Sequence, residues 1–159
     1  MYTQKFVNLA WVLTFLLFFA VLMLTYAFLP EKFSLSAEAW GTSIDRAVFF
    51  YVTLAVFVVI NLTALILRRM LEALPLTSVV YARNELFKSQ LVTWLGGLMS
   101  AVNICLTTLI GYVSLSNNQE DFSIDSFSFL IYLGPVLLGA CVIWLFYILS
   151  SRRRYELNR

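Results

Sequence analysis

The chain has 159 residues, of which 61% are apolar, 16% aromatic and 13% charged, with a formal net charge of +2. Soluble domains carry roughly 25% charged residues, and here too little charge is present to cover a water-facing surface. Composition therefore excludes an ordinary soluble domain and makes the lipid bilayer the chain's main solvent, with no nucleic-acid partner expected.

Four stretches contain no Asp, Glu, Lys, Arg or His: residues 6–29, 47–67, 91–114 and 126–151. At ~1.5 Å rise per residue, about 20 residues cross a roughly 30 Å hydrocarbon layer. The runs lack the alternation of barrel strands, and lipid admits only helices or closed barrels. The expected fold class is all-α: a single polytopic four-helix domain over residues 1–159, with 68–90 as a cytoplasmic connection.

The first run, Phe6 to Leu29, follows one basic residue, Lys5. It is longer than the roughly 7–15 residues of a secretory h-region, and Tyr26-Ala27-Phe28-Leu29-Pro30 offers no small-x-small cleavage site, so a retained span is expected. Trp11 near its start, Trp94 in the third run and Trp144 near the end of the fourth read as interfacial belt residues.

After the first span comes Leu29-Pro30-Glu31-Lys32-Phe33-Ser34-Leu35-Ser36-Ala37-Glu38-Ala39-Trp40-Gly41. This stretch resembles the extracytoplasmic segment of an uncharacterised bacterial membrane domain also found in SdpI-type immunity proteins. Leu29, Pro30, Phe33, Leu35 and Gly41 match in register, whereas Ser36 stands for the family's His and Ala37-Glu38 for its aromatic-Asn pair. The resemblance implies a bacterial cytoplasmic membrane and a toxin-immunity or signalling relative.

The second span continues as Arg68-Arg69-Met70-Leu71-Glu72-Ala73-Leu74 until Pro75 discourages the helix. A further piece, Val79 to Lys88, reads either as a short interfacial helix or as an extension of the third span. Within the spans, Asn61 and Asn103 are the polar residues most in need of a partner helix. Gly96, Gly97, Ser100 and Ala101 form overlapping small-x-x-x-small pairs, and Gly96, Ser100 and Asn103 share one helical stripe. In the fourth span Gly134-Pro135 predicts a bend, and Gly134 and Gly139 predict close contacts.

Nine of the 11 Lys and Arg residues fall on one side of this topology: Lys5, Arg68, Arg69, Arg83, Lys88, Arg152, Arg153, Arg154 and Arg159. Six of the nine carboxylates fall on the other. Cytoplasmic retention of basic residues then predicts N-in, C-in. Arg68, Arg69, Arg152, Arg153 and Arg154 are the expected contacts to anionic lipid.

No His is present to ligate haem or zinc, and no charge lies inside a span to couple to a transported proton. Cys105 and Cys141 form no Cys-x-x-Cys pair, and neither a phosphate loop nor a hydrolase elbow appears. No catalytic residue, cofactor or metal is expected. Three classes of function fit: an accessory or scaffold subunit packing on a larger membrane complex, an immunity- or sensor-type protein using the loop from Pro30 to Arg46, and a carrier or channel formed by self-association.

Reporter fusions test the orientation: Gln119 should read as extracytoplasmic, Arg83 and Arg159 as cytoplasmic. A cytoplasmic signal at Gln119 would reverse it.

Overall fold

The computed structural model describes residues 2–33, 43–78, 81, 84–117 and 129–157, the side chains of Tyr2 and of residues 151–157 excepted. The elements in chain order are α1 (Tyr2–Phe28), β1 (Lys32–Phe33), β2 (Ile44–Asp45), α2 (Arg46–Ala73), α3 (Glu85–Ser116) and α4 (Phe129–Leu157). All four helices are long and apolar enough to cross a bilayer. The chain is thus an all-α, four-helix, multi-pass membrane protein.

Local chemistry sets the helix ends. Asp45 caps α2 by accepting a 2.7 Å hydrogen bond from the Ala47 amide, one of the donors that an N-terminus leaves without an intrahelical partner. The far end of α2 stops at Leu74, which is extended as a residue before proline tends to be. Asn84 caps α3, accepting from the Phe87 amide at 3.1 Å. Helix therefore starts at Glu85 and carries the third span beyond its apolar run, whereas Val79, Val80, Ala82 and Arg83 of the interfacial-helix alternative lie outside the described residues.

At the loop end, β1 and β2 pair antiparallel, Lys32 with Asp45 and Phe33 with Ile44. Arg46 closes the base of this loop: its amide donates to the Glu31 carbonyl at 2.9 Å, its Nη1 to the Leu29 carbonyl at 3.0 Å, and its guanidinium lies 4.8 Å from the Tyr26 ring centroid. Leu29 and Phe33, two of the residues that carry the family resemblance, are buried there. Leu35 and Gly41 fall outside the described residues.

The centre of the bundle is α3. It packs along both α1 and α4 and to a lesser extent on α2, while α4 has no comparable contact with α1 or α2. Along the α1–α2–α3 seam the layers recur every seven residues, the spacing that keeps one stripe of a helix facing its neighbours. Val7, Arg68 and Gly96 meet in the layer nearest the termini. Thr14, Asn61 and Asn103 meet in the next. Val21, Leu54 and Ile110 belong to the third, an apolar cluster built on Phe18, Leu22 and Phe57. There the Phe18 and Phe57 rings stack with centroids 3.6 Å apart.

Close backbone approach fixes α4 to α3. A Cβ on Gly134 would lie 2.7 Å from the Cys105 Cα and 2.6 Å from its Sγ, so only glycine fits against that turn. Gly97 leaves room for the Trp144 ring, whose Cζ3 would be 2.8 Å from an added Cβ. Trp94 donates from its indole nitrogen to the Cys141 carbonyl at 2.8 Å. Trp94 and Trp144, read from sequence as belt residues, thus serve the α3–α4 contact. Gly139, read as a close-contact glycine within the chain or against a partner, makes no such contact within the chain, because an added Cβ there meets nothing within 4 Å. It lies on the face of α4 turned away from α3.

The two glycines should therefore separate cleanly. Gly134→Ala is expected to lower the thermal unfolding temperature in detergent, since backbone atoms must shift to admit one methyl, at a cost of about 1–3 kcal/mol. Gly139→Ala should leave that temperature unchanged or slightly raised.

Candidate functional site

Hydrocarbon offers an amide no water, so each intramembrane Asn must find donors and acceptors within the protein. Asn61 and Asn103 find each other. The Asn61 Nδ2 donates to the Asn103 Oδ1 at 3.0 Å and also to the Phe57 carbonyl one turn back at 3.0 Å. Its Oδ1 accepts from the Trp11 indole nitrogen at 3.1 Å. Asn103, with no exposed surface, donates from Nδ2 to the Thr14 hydroxyl at 3.5 Å, and that hydroxyl donates to the Trp11 carbonyl at 2.9 Å. Both carboxamide oxygens and both nitrogens are engaged, and three helices are joined. A polar path for a solute would need these amides turned to water, and they are turned to one another.

One layer toward the termini, the Arg68 side chain is largely buried, with 13% of its surface exposed. Three features accommodate it. Its Nε forms a 3.0 Å hydrogen-bonded ion pair with the Glu72 Oε1, its guanidinium lies 5.7 Å from the Trp11 ring centroid, and its Nη1 would lie 3.8 Å from a Cβ on Gly96. Ring and cation attract. Gly96 thus gives both Val7 and this guanidinium their space. Arg69, next along α2, is exposed and sits 3.7 Å from the other Glu72 oxygen. Between α1 and α2 these residues line a groove of about 330 Å³ with Asn8, Val12 and Leu65.

The α2–α3 connection is tied down by one cation and a phenol. Lys88 donates from Nζ to the Glu72 carbonyl at 2.7 Å and to the Leu74 carbonyl at 2.8 Å, satisfying acceptors left free at the end of α2. Fully buried Tyr81 donates its hydroxyl to the Leu71 carbonyl. Burial, with the Glu72 charge adding to it, holds the Tyr81 phenol above its usual pKa, so it remains a donor.

The residues singled out in the sequence thus fall into three places. Asn61 and Asn103 meet in the polar layer, with Ser100 and Ala101 buried on the same helix. Gly96 faces α1 and α2, while Gly97 and Gly134 sit in the α3–α4 contact. Arg68 and Arg69 line the groove, whereas the side chains of Arg152, Arg153 and Arg154 lie outside those described. Trp11, Thr14, Glu72, Tyr81 and Lys88 were not anticipated as partners. The i, i+4 spacing of Arg68 and Glu72 was the one signal available for that pair.

The chain matches no family model, no curated protein and no solved structure.

A double-mutant cycle on Asn61→Leu and Asn103→Leu, read by unfolding in detergent, should give a coupling of about 0.6 to 2 kcal/mol. Additive effects would mean that the amide pair does not hold the helices.

Proposed function

We propose that this protein is a non-catalytic accessory or scaffold subunit that packs against a helix of a larger membrane protein. The supporting observation is the outward face of α4. Phe129, Tyr132, Val136, Gly139, Ile143 and Phe146 are all exposed and recur at alternating spacings of three and four residues. That is the spacing of a helix-packing seam, and it has a glycine at its middle flanked by bulky side chains. The stripe of Gly96, Ser100 and Asn103 is taken up inside the chain, so α4 is where a partner helix has room to approach. The carrier reading loses its support, because the asparagines are paired rather than available to a solute.

Purification in mild detergent tests this reading. Foreign subunits in stoichiometric amount are expected, and Gly139→Leu should release them while leaving the unfolding temperature of the chain unchanged, since nothing within the protein opposes the added side chain. If Gly139→Leu keeps the partner, the seam faces lipid. A solitary oligomer would favour self-association instead.

A further inference from the structure

The groove between α1 and α2 holds charge at the edge of the apolar layer. Arg68 lies 22 residues beyond Arg46 on the same helix, roughly 33 Å along its axis. The two arginines therefore bracket a hydrocarbon layer of about 30 Å, and Arg68 and Arg69 sit at the level of lipid headgroups. Between them stands a single carboxylate, Glu72, so the trio keeps one positive charge in excess. Only the Nε of Arg68 is hydrogen-bonded among the described residues, so its two Nη groups retain donors in the fork that suits a phosphate.

The other lining residues suit the rest of a lipid. Asn8 is exposed at the same rim and can donate to an ester or glycerol oxygen. Away from the rim, Val12 and Leu65 carry the groove onto the exposed apolar surfaces of Leu16 and Leu62, along which an acyl chain can lie. A volume of about 330 Å³ accommodates a headgroup while leaving the acyl chains outside, against the helices.

The geometry points to this groove as a saturable site for one anionic glycerophospholipid from the surrounding bilayer, its phosphate held by Arg68 and Arg69. Phosphate attraction works against Glu72, which already occupies Arg68 and repels the anion. Neutralising Glu72 therefore strengthens the site, whereas a purely structural ion pair would be weakened by the same change.

Native mass spectrometry of the full chain in detergent, titrated with phosphatidylglycerol or phosphatidylcholine, provides the test. One equivalent of phosphatidylglycerol is expected to bind in preference to phosphatidylcholine. Arg69→Gln, at a side chain 78% exposed and so without consequence for folding, should weaken phosphatidylglycerol roughly fivefold, the worth of one basic residue at an anionic surface. Glu72→Gln should tighten it. Equal binding of both lipids, an unchanged affinity in Arg69→Gln, or weakening in Glu72→Gln would each overturn the assignment. So would a loss produced instead by replacing Arg152, Arg153 and Arg154 with Gln, or full competition by soluble glycerol phosphate at the lipid's concentration.

Discussion

Two carboxamides in the membrane interior fix the relation of three helices. Asn61 and Asn103 have no water to fall back on, and their shared hydrogen bond sets α2 and α3 at one height. Trp11 and Thr14 then set α1 against both. With that layer in register, the layers seven residues away follow: glycine, valine and arginine toward the termini, phenylalanines toward the loop end. Dispersion alone would tolerate many registers between apolar helices, because lipid tails compete on equal terms with Leu and Val. A polar layer removes that degeneracy.

The α3–α4 contact works on a different principle. It depends on fit, with the Gly134 backbone against Cys105 and Trp144 against Gly97, plus one indole to a carbonyl. Van der Waals contact falls off steeply with distance, so this interface is sensitive to a single methyl where the amide layer is sensitive to a single donor. Glycine has opposite meanings within one helix. Gly134 lies against the α3 backbone at Cys105, and Gly139, five residues on, has open space before it.

The four spans were legible because helix rise and bilayer thickness leave little choice for apolar runs of this length. The α2 extension to Ala73 was readable from Pro75, and a need for partners was readable from the asparagines. What sequence left open was which helix meets which. Helices that are apolar on all sides carry no contrast between a lipid-facing and a protein-facing surface, so the central place of α3 could not be seen. The hydrogen bonds of the tryptophans were hidden for a related reason: Trp11 and Trp94 have the composition of belt residues, and nothing in the sequence pointed their indole nitrogens to Asn61 and Cys141. The tethers from Lys88 and Tyr81 to backbone carbonyls left no pattern at all, because their acceptors belong to every residue.

The sequence distance between the paired amides has a consequence for how the chain is made. Asn103 follows Asn61 by 42 residues, which at ribosomal speed is an interval of about 2 to 8 s. During that interval the newly inserted α1–α2 hairpin holds an Asn61 whose interhelical partner among the described residues is Trp11. Until α3 is made, the Asn61 Nδ2 has the Phe57 carbonyl of its own helix but lacks the Asn103 oxygen. Arrival of α3 supplies that acceptor. Among the described residues, the fourth helix adds no hydrogen bond to the polar layer.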